Sequence, residues 1–190
     1  MAQLVLEDQN VPKVGKMSSE VQTKKRKRGP RKNRARLRRN VGLVIVNAEG
    51  KVLSGLRAHA NGDKAWQLPQ GGIEGREQPL TAAYRELKEE TGLGYEDVEL
   101  AYEKPEWTTY YLPKEWTRGR RFVGQRQKWY LFKYLGDDLP DVKKAKDKEF
   151  EALDWLEPAW LVNHVIEFRK PIYETVFAAL KYEMAKLVKR

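Results

Sequence analysis

The segment from Gly71 to Leu93, GGIEGREQPLTAAYRELKEETGL, constrains this chain more than any other part of its sequence. Glu86, Glu89 and Glu90 are spaced i, i+3 and i+4, so a helix would place their carboxylates on one face. Like charges at this spacing destabilise a helix, and a bound cation would offset that repulsion. Because hard oxygen ligands suit Mg²⁺ or Mn²⁺, we expect these carboxylates to hold a divalent cation.

The same segment carries signals for both ends of a helix. Pro79 suits a first helical turn, and Gly92 suits the position just after the last turn. Apolar residues on a neighbouring arc recur at helical spacing and can face a core: Leu80, Ala83, Tyr84 and Leu87. One helix is therefore predicted both to pack against the domain and to present carboxylates.

Glycines precede this helix, and one arginine lies within its acidic cluster. Gly71, Gly72 and Gly75 predict a flexible loop that lets the backbone approach a ligand closely. The planar guanidinium of Arg85 can hold Glu77 or a neighbouring carboxylate in a bidentate pair, which would fix the orientation of the ligands.

These residues also carry a family resemblance. The pattern G-x5-E-x7-R-E-U-x-E-E-x-G-U, in which U is apolar, is filled at every position, by Gly71, Glu77, Arg85, Glu86, Leu87, Glu89, Glu90, Gly92 and Leu93. The segment therefore resembles the motif of the Nudix hydrolases. An acidic surface helix with salt bridges would explain the charges, but not the glycines and the arginine at fixed offsets.

Further segments resemble one branch of that family, which contains bacterial RNA 5′-pyrophosphohydrolases and dinucleoside polyphosphate hydrolases. They are Asn40-Val41-Gly42, the lead-in from Trp66 to Gly72, the segment from Gly124 to Trp129, and Glu149-Phe150 followed by Trp155. The resemblance covers roughly residues 38 to 180. It implies an α/β protein with the Nudix fold, an α/β/α sandwich around a mixed β-sheet.

The resemblance implies hydrolysis of a nucleoside diphosphate linked to another group, with divalent ions. Catalysis would rest on Glu86, Glu89 and Glu90 with Arg85, and Glu149 would join the three helical glutamates as a metal ligand. Mg²⁺ is the expected cofactor, with Mn²⁺ as the alternative. One glutamate should accept a proton from the attacking water. Glu86 is our candidate, although it also suits a ligand role, and a solvated Glu149 in its charged stretch is the alternative there.

The branch also implies residues that bind substrate. The corresponding positions are Arg38 or Arg39 and Arg57 for phosphates, Gln127 and Lys128 for phosphate or base edges, and Phe168 for stacking on a base. A surface arginine at position 57 and plain core packing at position 168 remain open.

Charge is distributed unevenly along the chain. Residues 1–39 carry 13 Lys+Arg and 3 Asp+Glu, whereas the rest is neutral, so this segment accounts for the formal net charge of +10. Its dense part, residues 24–39, has almost no apolar side chain, and we expect a disordered tail over 1–39 followed by one hydrolase domain over 40–190. The tail could grip the phosphates of a nucleic acid, serve as a nuclear or ribosomal address, or be a solvated extension.

The composition excludes several classes of protein. The chain has no cysteine, so disulfides and cysteine-based metal or redox chemistry are ruled out. It has no apolar run of the roughly 18 residues that span a membrane, and its first residues do not form a secretory signal. We therefore expect a cytoplasmic protein that does not bind membranes.

The pattern along the remaining chain alternates strands with a few helices. Strands are predicted over 41–47, 51–57, 66–69, 98–105, 107–113, 128–135 and 152–158, and helices over 158–164 and from Pro171 onward. Such an alternation favours layers of helices on a mixed sheet.

Three functions are compatible with these observations. The first is removal of pyrophosphate from the 5′-triphosphate end of RNA, which a cationic tail favours because RNA is a polyanion. The second is hydrolysis of dinucleoside polyphosphates such as diadenosine tetraphosphate, which would use the same motif but gives no reason for the basic run. The third is an RNA- or ribosome-associated binding protein with an idle site, against which the complete set of clustered acids argues.

Overall fold

The computed structural model describes residues 36–58 and 64–188, all within a compact unit that spans Ala35–Arg190. Most of the basic tail therefore lies outside the described residues. Strands and helices alternate along the described chain as β1 Arg36–Val46, β2 Val52–Ala58, β3 Lys64–Gln67, β4 Gln70–Gly72, α1 Pro79–Thr91, β5 Val98–Glu103, β6 Thr108–Tyr111, α2 Lys114–Thr117, β7 Phe122–Tyr134, β8 Ala152–Leu156, α3 Pro158–His164 and α4 Lys170–Ala185. Short 3₁₀ turns occur at Tyr95–Asp97, Val142–Lys144 and Glu167–Arg169.

One mixed β-sheet organises the described residues. Its main path runs β3-β2-β1-β7-β5, with β4 beside β1, β6 beside β7 and β8 beside β2. The central pair β1 and β7 is parallel, whereas the other pairs are antiparallel. The buried parts of the two central strands, residues 41–46 of β1 and 129–132 of β7, are apolar on both faces, as expected for strands with helices above and below. The mixed sheet and the α/β class predicted from the sequence are confirmed.

Two hydrophobic cores lie on opposite faces of this sheet. On one face, Leu43 and Phe132 pack with Leu87 of α1. On the other face, Trp129 packs with residues of α3 and α4 that include Leu161 and Leu180. The helices thus form two outer layers, which is the predicted α/β/α sandwich.

The central strands extend further than the sequence predicted. β1 begins at Arg36, four residues before the expected domain start at Asn40, and β7 begins at Phe122 rather than near 128. The two extensions pair with each other in parallel, from Leu37 opposite Gly124 to Arg39 opposite Arg126. Because this pairing satisfies backbone hydrogen bonds, residues 36–39 belong to the sheet, and their assignment to the disordered tail was wrong.

The glycine segment also differs from the prediction. Gly71 and Gly72, expected in a flexible loop, lie in the short strand β4, opposite Val41 and Asn40 of β1. Gly75 does lie in the connection to α1, with a positive φ of 44°. The glycine strand is therefore fixed by the sheet, and only the following turn is a loop. Separately, none of the helices in the described part of the chain combines the length and apolarity needed to cross a membrane.

Candidate metal and phosphate site

Helix α1 has the boundaries that its sequence predicts. Pro79 lies in the first turn, and Gly92 ends the helix with a φ of 76° and donates its N–H to the carbonyl of Lys88 at 3.1 Å. The apolar arc faces the sheet, where Ala83 and Leu87 are fully buried. This packing directs the opposite edge of the helix, with its glutamates, toward β4.

Arg85 uses all of its N–H donors on its neighbours. Nε and Nη2 each lie 3.0 Å from an oxygen of Glu77, which makes the expected bidentate pair. Nη1 donates to Glu86 at 2.7 Å and to Glu89 at 2.9 Å, and Nη2 also donates to the Gly72 carbonyl at 2.7 Å. A guanidinium has five N–H groups, so this one is saturated, and it joins the helix, the glycine strand and the intervening loop.

Gly71 leaves the space that the Glu86 carboxylate occupies. A Cβ atom at position 71 would lie 1.8 Å from Cδ of Glu86 and 2.0 Å from both of its oxygens. A residue with a side chain could not keep this arrangement. The glycine is thus required for close approach of strand and carboxylate, which is a different role from loop flexibility.

The glutamates differ in their environments. Burial raises the pKa of Glu86 and raises the pKa of Glu90 well above its ordinary value, and the nearby Glu149 charge raises the pKa of Glu90 further. Burial would also raise the pKa of Glu89, but hydrogen bonds from Arg85 and Lys146 outweigh it and hold that pKa below the usual range. Two carboxyl groups are therefore buried at a cost that a divalent cation would offset.

Glu149 lies at this site rather than in solvent. Its carboxylate is half-buried and forms an ion pair of 2.6 Å with Arg57, and its charge acts on Glu90. The preceding loop is attached to α1, since the Asp147 N–H donates to the Glu89 carbonyl at 2.8 Å and Lys146 Nζ contacts a Glu89 oxygen at 3.1 Å. The fold therefore brings two predicted residues, Arg57 and Glu149, into direct contact.

The donor set fits a hard divalent cation. Four carboxylates, those of Glu86, Glu89, Glu90 and Glu149, share one region and supply the oxygen ligands that Mg²⁺ and Mn²⁺ prefer. Within residues 36–58 and 64–188, however, no three acidic or histidine side chains converge closely enough to hold an ion in their present orientations. They point instead toward Arg85, Lys146, Arg57 and a backbone N–H of Gln70. Their role as ligands stays a prediction.

The predicted phosphate-binding residues lie at different depths. Arg38 is exposed and lies beside Gly72, because a Cβ atom added at Gly72 would be 2.2 Å from Arg38 Nη2. The positive charge of Arg38 acts to lower the pKa of Glu86, although burial of Glu86 outweighs it. Lys128 is buried, and its Nζ contacts the Pro105 carbonyl at 2.9 Å and Glu103 at 2.7 Å. Arg38 is therefore exposed beside the glycine strand, whereas Lys128 is already paired.

Gln127 belongs to a buried polar network behind the glycine strand. Its Nε2 lies 2.8 Å from Asn40 Oδ1 and 2.7 Å from the Gln70 amide. The other terminal atom of the Gln70 amide lies 2.7 Å from Arg169 Nη2, and Arg169 also donates to Gln67. This network fixes Gln127 internally.

Phe168 is half-buried between two aromatic rings. Its ring centroid lies 5.9 Å from that of Tyr110 and 5.4 Å from that of Trp116. The adjacent Arg169, which the sequence reasoning missed, lies over the Phe168 ring at 5.6 Å and is itself buried. In the sequence, the only indication that Arg169 belongs to this region is its place directly after Phe168 in the segment EFRK.

Comparison with known proteins identifies the family. The family model described as "NUDIX domain" matches residues 36–178, which is most of the chain. This protein therefore belongs to the Nudix family, whose hydrolases generally need a divalent metal ion and act on phosphorus-containing anhydrides.

Curated relatives are similar over most of their length. The RNA pyrophosphohydrolase of Dinoroseobacter shibae is 44% identical over 147 residues, which cover 75% of this chain and 90% of that protein. The RNA pyrophosphohydrolase of Rhodospirillum rubrum is 41% identical over 147 residues, which cover 75% of this chain and 86% of that protein.

Solved structures share the fold at lower identity. A NUDIX hydrolase from Nitrosomonas europaea matches with a TM-score of 0.59 and 17% identity, covering 80% of this chain and 93% of that one. An Ap4A hydrolase from C. elegans matches with a TM-score of 0.57 and 19% identity, covering 77% of this chain and 99% of that one. These likenesses concern the fold alone.

Proposed function

We propose that this protein is an RNA 5′-pyrophosphohydrolase, which removes pyrophosphate from a 5′-triphosphate end and leaves a 5′-monophosphate. The observation that carries this proposal is its similarity to bacterial RNA pyrophosphohydrolases over nearly their full length. The intact motif, in which Arg85 bonds Glu77, Glu86 and Glu89, supports it independently.

Residues on α1 and on the loop before β8 would hold the metal. We assign this role to Glu86, Glu89, Glu90 and Glu149, with Mg²⁺ as the proposed ion and Mn²⁺ as the alternative. Bound divalent ions would neutralise phosphate charge and lower the pKa of an attacking water. Arg85 would keep the carboxylates in position, because it is saturated by them and by the backbone.

The reaction adds water across a phosphoanhydride bond. The water oxygen bonds to phosphorus, the bridging P–O bond breaks, and the water proton passes to a base while pyrophosphate leaves. We propose Glu86 as that base, with the ligand role as its alternative, because Gly71 leaves room for its carboxylate beside the strand and Arg85 orients it. Arg38 and Arg57 would contact the phosphates, and Phe168 would stack on a base.

Hydrolysis of dinucleoside polyphosphates is the second candidate. The half-buried ring of Phe168 beside Tyr110 and Trp116 would accept the base of a small nucleotide as readily as that of RNA. The motif residues would act in the same way on either substrate, so only a comparison of substrates separates the two.

The test offers the purified protein a triphosphorylated RNA oligonucleotide and diadenosine tetraphosphate in parallel, each with Mg²⁺ and with Mn²⁺. We expect faster turnover of the RNA, with release of pyrophosphate, and turnover of the dinucleotide alone would reject the proposal. Glu89→Gln should abolish activity, whereas Glu174→Gln, on the exposed face of α4, is the matched control and should retain it.

We also propose that the basic segment before the domain contacts RNA and that the protein acts in the cytoplasm. Removing residues 1–34 leaves β1 complete, because that strand begins at Arg36. The shortened protein should bind RNA more weakly and with a smaller dependence on salt, while its turnover of a dinucleotide stays unchanged. Equal RNA affinity at every salt concentration would reject this role.

A further inference from the structure

One tryptophan at the extended end of the sheet is contacted by two arginines. The guanidinium carbon of Arg39 lies 5.4 Å from the ring centroid of Trp107, and that of Arg126 lies 5.1 Å from the same centroid. Arg39 and Arg126 are direct neighbours in the parallel pair of β1 and β7, and Trp107 immediately precedes β6, which pairs with β7. The three side chains therefore form one surface, which we call the Trp107 surface.

The charges of this surface have no carboxylate partners in the described part of the chain. Both arginines are exposed, and neither forms an ion pair with any residue in 36–58 or 64–188. Lys128, two residues after Arg126 on β7, pairs with Glu103, and Lys104, directly after β5, pairs with Glu106. Like charges side by side on neighbouring strands are unfavourable, so Arg39 and Arg126 retain a positive charge that no described carboxylate compensates.

Further arginines continue this charge toward the start of β1. Arg121 lies over the ring of Phe122, and Phe122 is the partner of Arg36 across the two strands. The arginines near the start of β1 and β7 are likewise exposed without an ion pair to another described residue, and they include Arg36, Arg118, Arg120 and Arg121. Arg36 and Arg121 thus place further positive charge at the beginning of the β1–β7 pair.

The Trp107 surface borders the glycine strand of the candidate site. The carbonyl of Arg39 accepts a hydrogen bond of 3.1 Å from the N–H of Ile73. The next residue of β1, Asn40, lies opposite Gly72, whose carbonyl binds Arg85. Only a few residues of β1 and β4 thus separate the carboxylates from the Trp107 surface. An RNA chain whose 5′ end lies at the carboxylates could therefore continue onto this surface.

We propose that the Trp107 surface binds the nucleotides that follow the 5′ end of an RNA substrate. The arginines would contact phosphates. The Trp107 ring and the planar guanidinium groups of Arg39 and Arg126 beside it would also stack on unpaired bases. This inference rests on the proposed function, since it assumes that RNA is the substrate. It assigns Trp107 and Arg126 to binding of the chain and not to the chemistry at its end.

The test measures binding without turnover. A fluorescent 5′-monophosphorylated RNA of about 12 nucleotides, long enough to cover a single-strand site, and a 5′-monophosphorylated dinucleotide are titrated with wild type, Trp107→Leu, Trp107→Phe and Arg126→Gln, with Mg²⁺ present. Trp107→Leu and Arg126→Gln should raise the Kd for the long RNA about tenfold and leave that for the dinucleotide unchanged. Trp107→Phe should retain most of the affinity, and Arg126→Gln should lower the salt slope by about 0.7.

A matched control lies on α4. Tyr182 is 72% exposed, and Lys186 Nζ lies 4.2 Å from its ring, so Tyr182→Leu removes a similar cation–aromatic contact elsewhere on the molecule. This variant should bind both RNAs as wild type does. Thermal unfolding checks each variant, and if Trp107→Leu does not fold, the exposed Arg126→Gln decides.

Equal affinities of wild type and Arg126→Gln for the long RNA would overturn the inference, as would an equal loss for both RNAs. These outcomes are separable from failure of the proposed function. A wild-type protein that hydrolyses triphosphorylated RNA but shows no length-dependent effect retains its function and loses this surface. If the wild-type protein hydrolyses only dinucleoside polyphosphates, and the variants still lose affinity for the long RNA alone, the RNA-binding surface is retained and the proposed reaction is rejected.

Discussion

Replacing Gly71 with alanine tests whether the position of the Glu86 carboxylate controls activity. A Cβ atom at position 71 would lie 1.8 Å from Cδ of Glu86. Ordinary contacts between carbon atoms are about 3.5–4.0 Å, so the carboxylate must withdraw by roughly 2 Å. Such a shift takes Glu86 out of its 2.7 Å hydrogen bond with Arg85.

The effect on activity should greatly exceed the effect on stability. Misplacement of a reacting group by about 1 Å can lower the rate roughly 100-fold, so we expect at least that loss in kcat for Gly71→Ala. The group that must move is the end of a flexible side chain, and Gly71 has no positive φ. The free energy of unfolding should fall by about 1–2 kcal/mol, because the charged hydrogen bond to Arg85 is lost while the added methyl group restricts the unfolded chain.

The assay combines initial rates of pyrophosphate release from triphosphorylated RNA with thermal unfolding of each variant. Gly75→Ala is the control, because Gly75 lies in the same segment with a φ of 44°, and a Cβ atom there would meet no other atom of the described residues within 4 Å. This variant should lose stability through backbone strain and keep its kcat. Normal kcat in a folded Gly71→Ala protein would refute the argument that the Glu86 position matters.

Three further outcomes are expected. Arg85→Lys should lower activity and metal affinity roughly 10- to 100-fold in a Mg²⁺ titration, because lysine cannot replace the bidentate pair. Gly55→Ala should destabilise the fold by about 1–3 kcal/mol in urea denaturation, because the new Cβ would overpack a buried ring; it would lie 2.2 Å from Cγ of Phe150. Burial raises the pKa of Tyr173 to about 12, so the unfolded state loses its phenol proton first as the pH rises from about 10 to 12, and the free energy of unfolding should fall across that range. Tyr173→Phe should reduce that fall in pH-dependent denaturation, and at neutral pH should cost about 1–3 kcal/mol because it strands the Leu68 N–H, which donates to the phenol at 2.8 Å.

Local spacing allowed much of the site to be predicted from the sequence. Glu86, Glu89 and Glu90 share a face because a helix has a fixed period, and Pro79 and Gly92 mark its ends through backbone preferences that act within one turn. The pairing of Arg85 with Glu77 follows from the same short segment. These features depend on residues near each other in the chain, so they needed no knowledge of the tertiary structure.

Contacts between distant segments could not be predicted in the same way. The extension of β1 to Arg36 depends on its pairing with the start of β7, and the basic composition of residues 36–39 gave the opposite indication. The ion pair of Arg57 with Glu149 depends on how the loop before β8 returns to β2. The buried Arg169 depends on the position of the turn before α4 over the sheet.

Two of the glycines in the sheet explain how its strands can hold a carboxylate site. Gly71 of β4 leaves room for the Glu86 carboxylate against the strand, and Gly55 of β2 leaves room for the Phe150 ring, whose neighbour is Glu149. Because strand backbone is fixed by pairing with its neighbours, the positions of these groups are set by the sheet rather than by the loops that carry them. Helix α1 and the loop before β8, far apart in sequence, can therefore present carboxylates to one region. The spacing of the motif matters because its glycines and charged residues contact the paired strands or belong to the helix that packs on them.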